Sequence, residues 1–173
     1  MTNVVLVGAG KLGSRHLQAI SQARLKNLKI FVVDFNPEAI TNSKKRLEEV
    51  GIKKNTTSVV FLNNINELNI TTINLLIIAT TSENRFNVLK EISNNFSILN
   101  LILEKFLFQK EETYYKAEKL IEDSKIKAWV NCPRRQWKFY NDLKERLKNN
   151  KIKNFQVSCL LYTSDAADDR LRV

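Results

Sequence analysis

Three glycines near the N-terminus have the spacing that phosphate-binding turns require. Gly8, Gly10 and Gly13 follow the apolar run Val4–Val7 and precede a helical pattern, which makes a G-x-G-x-x-G motif between a strand and a helix. In such a turn the first glycine permits the tight bend, the second lets the backbone approach a pyrophosphate, and the third allows the helix to pack closely on the strand. The motif therefore predicts a dinucleotide-binding turn.

The helix that begins near Lys11 adds to this predicted site through its backbone. The N–H groups of Lys11, Leu12 and Gly13 have no helical partners and carry the positive end of the helix dipole, so we expect them to face phosphates. Asp34 lies 21 residues after Gly13, where a carboxylate can accept hydrogen bonds from the adenosine ribose. No arginine follows it in Phe35-Asn36-Pro37 to neutralise a ribose phosphate. NAD is therefore favoured over NADP.

Apolar runs of strand length alternate with helical patterns along the chain, which is typical of a parallel sheet made of βαβ units. The runs are Val4–Val7, Ile30–Val33, Val59–Leu62, Leu75–Ala79, Ile98–Leu103 and Ala128–Asn131. They are apolar at successive positions, so each strand is predicted to be covered on both faces. The predicted fold is an α/β, Rossmann-type doubly wound parallel sheet of about six strands with helices on both faces.

Helix signals occupy the segments between these runs. Asn36-Pro37 and Ser82 are residues that favour helix starts, and Gly51 favours a helix end. The helices predicted after the first are Pro37 to Gly51, Ser82 to Asn95, Lys110 to Ser124 and Arg134 to Asn149, with a short turn of helix inside Asn63 to Ile70.

Composition excludes several classes of protein. The 173 residues, 43% of them hydrophobic, fit one globular domain of ordinary size. No apolar run approaches the ~20 residues that span a bilayer, and Val4–Val7 is too short for a signal peptide, so a cytoplasmic protein without a membrane partner is expected. Two cysteines and one histidine predict neither a disulfide framework nor a metal site.

The net charge of +10 raises the question of a polyanionic partner. The lysines are scattered along the whole chain, with no arginine-rich block and no interleaved aromatic residues. A solvated basic surface is therefore favoured, and nucleic acid is not the expected partner.

Four segments resemble the N-terminal half of the glucose-fructose oxidoreductase and inositol dehydrogenase family, Gfo/Idh/MocA: GAGKLGSRHLQAI, IIATTSENRF, LILEKF and VNCPRRQWKFYNDLKERL. Members of that family pair a Rossmann domain with a C-terminal mixed α/β domain that carries the substrate site. They oxidise or reduce sugars, cyclitols and related compounds with NAD or NADP. The resemblance covers nearly all of residues 1–158 and implies that this chain is the cofactor-binding half of such an oxidoreductase.

The resemblance assigns roles to residues after two later runs. Ala79-Thr80-Thr81 matches the family's Ala-Thr-Pro turn beside the cofactor, although the proline is missing. Glu104 and Lys105 match the Glu-Lys-Pro motif, and the resemblance implies that Glu104 contributes to the cofactor site. Phe106 replaces a proline that is often cis, which leaves the geometry of this turn open. Lys105 is the candidate catalytic residue, because an ammonium at the C-terminal end of such a strand lies on the ligand side and can orient a hydroxyl. A surface lysine is the alternative.

Four further residues complete the comparison. Arg85 stands where the family usually has a histidine, which leaves its role open. His16 matches a histidine common in the first helix and is interpreted as a packing and hydrogen-bonding residue. Arg134 and Arg135 match a segment near the substrate cleft, where they would bind a substrate anion or form interdomain salt bridges.

The predicted organisation is a dinucleotide-binding domain over residues 1–150 and the first strand of a substrate domain over residues 151–158. Residues 159–173 begin CLLYTSDAADD, which resembles the translation of a sequencing adaptor. The family's acid or base histidine lies in the C-terminal domain, so this chain is predicted to bind dinucleotide without turnover. The expected partner is a sugar-type small molecule, and the resemblance implies a parent protein that forms a homo-oligomer. The alternatives are a dinucleotide-sensing or interaction module without catalysis and charge-driven binding of nucleic acid.

Overall fold

The computed structural model of the chain describes residues 1–25, 27–52 and 56–148. The domain boundary predicted at residue 150, the strand predicted over 151–158 and the tail over 159–173 lie outside these residues. The chain divides into two compact units, residues 1–132 and residues 133–173.

The first unit alternates strands and helices in the predicted manner. Its strands are β1 (Thr2–Val7), β2 (Leu28–Val33), β3 (Thr56–Leu62), β4 (Thr72–Ile73), β5 (Leu75–Ile78), β6 (Ser97–Ile98), β7 (Asn100–Glu104) and β8 (Lys127–Asn131). Its α-helices are α1 (Lys11–Ser21), α2 (Pro37–Val50), α3 (Arg85–Asn95) and α4 (Glu111–Asp123). The short helical turn predicted inside residues 63–70 is a 3-10 helix over Ile65–Glu67.

Six strands form one parallel sheet in the order β3-β2-β1-β5-β7-β8. Val7 of β1 lies opposite Val33 of β2 on one side and opposite Ile78 of β5 on the other. The sheet order reverses at β1, because the chain first extends to β2 and β3 on one side and then returns to β5 on the other. The predicted Rossmann-type α/β fold is confirmed.

The sheet is covered by helices on both faces, as predicted. Val5 belongs to a buried cluster with Leu89 of α3. Leu6, the next residue of β1, belongs to a second cluster with Leu17 of α1 and Leu47 of α2. Since successive side chains of a strand point to opposite faces, the two clusters form the two layers of the core.

The strand predicted over Ile98–Leu103 is broken at Leu99. The Leu99 N–H donates to the Ile73 carbonyl of β4 at 3.0 Å, whereas the Leu99 carbonyl accepts from the Lys127 N–H at 3.1 Å. The chain changes its pairing partner at this residue. As a result β6 pairs with β4 in a separate two-stranded sheet, and β7 pairs with β5 and β8.

The prediction that Ser82 caps the third helix was wrong. Residues 82–84 form a turn, and α3 begins at Arg85 with Asn84 before it and no side-chain capping bond. Arg85, the first residue of the observed helix, is buried.

The last strand of the sheet is less covered than predicted. β8 is an edge strand that pairs with β7, and Lys127, Ala128 and Trp129 are exposed. In the second unit, the helix predicted over Arg134–Asn149 is divided into a 3-10 helix, Pro133–Gln136, and α5, Lys138–Lys148. Among the described residues, no helix is long and apolar enough to cross a membrane.

Candidate cofactor-binding site

The predicted cofactor-binding residues and the candidate catalytic residue Lys105 all lie at one edge of the sheet. The turn Gly8–Gly13 follows β1, Asp34 follows β2, Ala79-Thr80-Thr81 follows β5, and Glu104 and Lys105 stand at the end of β7. Because the strands are parallel, their carboxyl ends meet at this edge. The glycine turn lies where the sheet order reverses, which is the place where open α/β sheets bind ligands.

The three glycines of the turn have different steric surroundings. Gly8 has a φ of +96°, and a Cβ there would lie 2.9 Å from the carbonyl carbon of Ala79. A Cβ on Gly13 would lie 1.7 Å from the carbonyl oxygen of Gly8. On Gly10, a Cβ would have no described atom within 4 Å. The protein's own backbone therefore requires the first and third glycines, whereas Gly10 faces open space that a ligand can occupy.

The start of α1 has the properties of an anion-binding helix terminus. Gly10 is the N-cap residue, no side chain caps the helix, and its first turn contains no acidic residue. The N–H groups of Lys11, Leu12 and Gly13 are first-turn donors, which lack intrahelical acceptors. These donors and the helix dipole favour a negative group in front of the turn.

Arg46 of α2 contributes a cation beside the first turn of α1. One of its Nη atoms donates to the Ser14 hydroxyl at 2.5 Å and to the Lys11 carbonyl at 3.1 Å. The Ser14 hydroxyl in turn donates to the Gly10 carbonyl at 2.8 Å. Arg46 lies 32 residues from Ser14, so no local pattern in the sequence indicates this pairing.

Asp34 is bound to the glycine turn. Its Oδ2 accepts a hydrogen bond from the Ala9 N–H at 2.7 Å, and its Oδ1 accepts one from the Asn36 N–H at 2.9 Å. Each carboxylate oxygen has two acceptor sites, so both oxygens can accept a further hydrogen bond. Phe35, the next residue, is 87% exposed. No pattern in the sequence distinguishes this aromatic ring at the carboxyl end of β2.

Glu104 is the centre of a buried polar cluster. The residue is 3% exposed, and its Oε1 lies 2.5 Å from His16 Nε2 and 2.6 Å from Asn131 Nδ2. Burial alone would raise the pKa of the Glu104 carboxyl, but the hydrogen bonds with His16 and Asn131 and the charges of His16 and Arg85 outweigh burial and lower that pKa. Glu104 is therefore held ionised, and the hydrogen-bonding role predicted for His16 is confirmed.

Arg85 is buried beneath the same edge, with 2% of its surface exposed. Its guanidinium donates to the carbonyl oxygens of Glu104 at 2.5 Å and Leu107 at 3.0 Å, and also to those of Phe106 and Thr80. Burial lowers the pKa of Arg85, although the nearby charges of Glu104 and Tyr114 oppose this effect. An arginine side chain nevertheless stays protonated in proteins.

Lys105 follows β7 directly, and its side chain is exposed at the carboxyl edge. The peptide bond between Lys105 and Phe106 is cis. The turn therefore has a cis peptide bond although phenylalanine, and not proline, follows Lys105. Arg134 and Arg135 belong to the second unit, and their side chains lie outside what the structure describes. The described residues contain no group of His, Cys, Asp and Glu side chains that could hold a metal ion.

A doubly wound parallel sheet with a glycine turn at its reversal point and an acidic residue after β2 defines a dinucleotide-binding domain of the Rossmann class. The chain belongs to the Gfo/Idh/MocA oxidoreductase family with an NAD-binding Rossmann fold, because the model of that family matches residues 2–132. The family resemblance stated from the sequence is therefore confirmed.

The solved structures with a similar fold include several dehydrogenases. The WlbA dehydrogenase from Thermus thermophilus, solved with NAD and UDP-GlcNAcA, is 18% identical with a TM-score of 0.65, over 88% of this chain and 48% of that one. Scyllo-inositol dehydrogenase from Lactobacillus casei, solved with NAD(H) and scyllo-inositol, is 19% identical with a TM-score of 0.64, over 89% and 43%. Myo-inositol 2-dehydrogenase from Lactobacillus plantarum is 18% identical with a TM-score of 0.66, over 88% and 42%.

At these identities the likeness shows the fold. The chain spans less than half the length of each of the three structures. No curated protein sequence matches the chain significantly.

Proposed function

We propose that this chain binds NAD across the carboxyl edge of its sheet and supplies the cofactor-binding half of an oxidoreductase acting on CH–OH groups. The observation that carries the proposal is the open space at Gly10 in front of the uncapped start of α1. A Cβ would fill the place where a diphosphate approaches the backbone. The N–H groups of Lys11, Leu12 and Gly13 would bind its oxygens.

Asp34 is the proposed ligand of the adenosine ribose. Its present hydrogen bonds come from the backbone N–H groups of Ala9 and Asn36, which hold the carboxylate in place and leave acceptor sites for ribose hydroxyls. No salt bridge to Asp34 is present among the described residues, so a ribose phosphate would meet an unneutralised negative charge. This supports NAD over NADP.

The exposed ring of Phe35 is the proposed platform for the adenine base. A phenylalanine that is 87% exposed leaves its apolar faces in water. A base that stacks on this ring would cover one face, and the ring directly follows the proposed ribose ligand in sequence. Stacking on an aromatic ring tolerates any base. Phe35 would therefore add to the affinity for the dinucleotide, while Asp34 would favour NAD over NADP.

The nicotinamide end would lie toward β5 and β7. Ala79-Thr80-Thr81 is the proposed turn beside it. Among the described residues, the two side chains that hydrogen-bond the Glu104 carboxylate both contact Oε1, so Oε2 is the proposed acceptor for a cofactor hydroxyl. NAD, when bound here, would accept the hydride from the substrate or, as NADH, donate it. Lys105, exposed at the end of β7, is proposed to orient a substrate hydroxyl and to stabilise the charge that develops as its proton leaves.

Sugars, nucleotide sugars and cyclitols are the proposed substrate class. The support comes from family membership and from the sugar-type ligands with which the Thermus and Lactobacillus casei enzymes were solved. Arg134 and Arg135 are proposed to bind a substrate anion. Because this chain spans less than half the length of those enzymes, we propose that a further domain of a longer, homo-oligomeric protein supplies the acid or base. The chain alone would then bind NAD without turnover.

The proposed location of the protein is the cytoplasm. The free thiol of Cys132 supports this location, because thiols are kept reduced there.

Isothermal titration calorimetry tests the cofactor assignment directly. The folded chain is titrated with NADH and, separately, with NADPH. Saturable heat with NADH and at least tenfold weaker binding of NADPH, about 1.4 kcal/mol, is the expected result. Absence of heat with both dinucleotides from a sample with native circular dichroism would overturn the proposal. For catalysis, Lys105→Met in the longer protein is expected to abolish turnover while the affinity for NADH is kept.

A further inference from the structure

Arg85 connects two loops that different strands contribute to the site. The Thr80 carbonyl belongs to the loop after β5, while the carbonyls of Glu104, Phe106 and Leu107 lie at the end of β7 and in the loop after it. Lys105 stands between two of these acceptors in the sequence. One side chain thus holds the peptide groups on both sides of Lys105 and fastens them to the neighbouring loop.

Stability alone gives little reason for a charge at this position. Arg85 is 2% exposed, and its Nε is buried without a hydrogen-bond partner among the described residues. Replacing buried ionic groups by apolar ones is often neutral or stabilising, because removing a guanidinium from water is costly. What an arginine provides and a smaller group does not is a rigid fork with several donors, able to hold several carbonyls in fixed relative positions.

We infer that Arg85 is a positioning residue that fixes the loops after β5 and β7 to each other and so sets the place of Lys105 at the nicotinamide end of bound NAD. The inference rests on the proposed function, since it assumes that the dinucleotide lies across this edge. Arg85 itself is buried below the site and would touch neither cofactor nor substrate. The glycine turn and Asp34, which would hold the ADP-ribose half, are not among the partners of Arg85.

This separation predicts a selective effect on binding. NADH uses both halves of the edge, whereas ADP-ribose lacks the nicotinamide and uses the half around Gly10 and Asp34. Loss of the Arg85 contacts should therefore weaken NADH and spare ADP-ribose. A general loss of stability would instead lower the apparent affinities for NADH and ADP-ribose by the same factor.

The experiment measures the affinities of NADH and ADP-ribose by calorimetry for the wild-type chain, Arg85→Met, Arg85→Lys and the matched control Arg24→Met. Arg24 is exposed just after α1, away from the carboxyl edge. Circular dichroism and thermal unfolding identify the variants that keep the native fold. If Arg85→Met does not fold, the affinities measured for Arg85→Lys test the inference, because lysine keeps the positive charge but lacks the planar guanidinium.

The wild type and Arg24→Met are expected to bind NADH more tightly than ADP-ribose. In both Arg85 variants, NADH affinity is expected to fall about tenfold while ADP-ribose affinity changes less than about twofold. Equal losses for the two ligands, full recovery in Arg85→Lys, or a wild type that binds both ligands equally would each overturn the inference. A wild type that binds neither ligand would overturn the proposed function itself.

Discussion

The Cα of Gly13 packs directly against the carbonyl of Gly8, so that a Cβ on Gly13 would lie 1.7 Å from the Gly8 oxygen. Gly10, between them in the same motif, has no described atom within 4 Å of the corresponding position. The motif therefore contains a glycine that the fold requires and a glycine that faces the place of the ligand. Substitution by alanine should separate the two requirements.

Gly13→Ala is expected to disrupt the fold, because the new methyl group meets backbone, which cannot move aside as a flexible side chain can. A loss of more than about 3 kcal/mol of unfolding free energy is expected. Gly10→Ala should cost about 1 kcal/mol or less, as a change at an N-cap, while NADH affinity falls at least tenfold. Urea unfolding and calorimetry on both variants measure these effects. If Gly10→Ala bound NADH like the wild type, the diphosphate would not lie where we propose.

Much of this edge follows from local sequence patterns. The glycine spacing, the alternation of apolar runs with helical segments and the position of Asp34 are short-range signals, and they were sufficient for the sheet, its helices and the family. The break in the strand predicted over Ile98–Leu103 came from non-local pairing. Nothing in the run Ile98–Leu103 shows that Leu99 changes its partner from β4 to β8.

The polar contacts beneath the site also could not be predicted from local sequence patterns. Glu104 lies 88 residues from His16 and 27 from Asn131, so only the folded sheet brings them together. In the sequence, Arg85 is a charged residue near a predicted helix start, and this position does not indicate that its side chain is buried. Its departure from the family histidine was the one signal, and that signal does not specify which carbonyls it binds.

Asp34→Ala is expected to weaken NADH binding by roughly 1.5–3 kcal/mol, the range for hydrogen bonds to a charged group. Asp34→Asn keeps an acceptor for the Ala9 N–H but removes the charge, so it should also narrow the difference in affinity between NADH and NADPH. Calorimetry with both dinucleotides measures the two effects. Glu48→Ala, an exposed position on α2, serves as the control. An unchanged NADH affinity in Asp34→Ala would remove the residue from the site.

Phe35→Ala should weaken NADH and ADP-ribose alike, by about 1–3 kcal/mol if the ring stacks on adenine. Phe35→Trp keeps a stacking surface, so its affinity should stay near that of the wild type, and its indole fluorescence should change on titration with ADP-ribose. Tyr115→Ala, another exposed aromatic on a helix of the same unit, is the matched control. Wild-type affinity for both ligands in Phe35→Ala would contradict the stacking role.

Glu104→Gln tests the buried cluster through the pH dependence of stability. The folded-state pKa of Glu104 is lowered, chiefly because the hydrogen bonds with His16 and Asn131 outweigh the opposite effect of burial. A lowered pKa means that the contribution of Glu104 to stability is complete above the unfolded value of about 4.3 and is lost as pH falls through the lower, folded-state value.

Wild type and Glu104→Gln should therefore differ most near neutral pH, where the wild type is expected to be more stable by about 1–3 kcal/mol. The difference should shrink as the pH is lowered from about 5 towards 3, because the wild-type carboxylate becomes protonated while the amide does not titrate. Urea unfolding at a series of pH values measures this, with Glu118→Gln on α4 as an exposed control. A difference that stays constant, or grows on acidification, would mean that Glu104 is not held ionised by its partners.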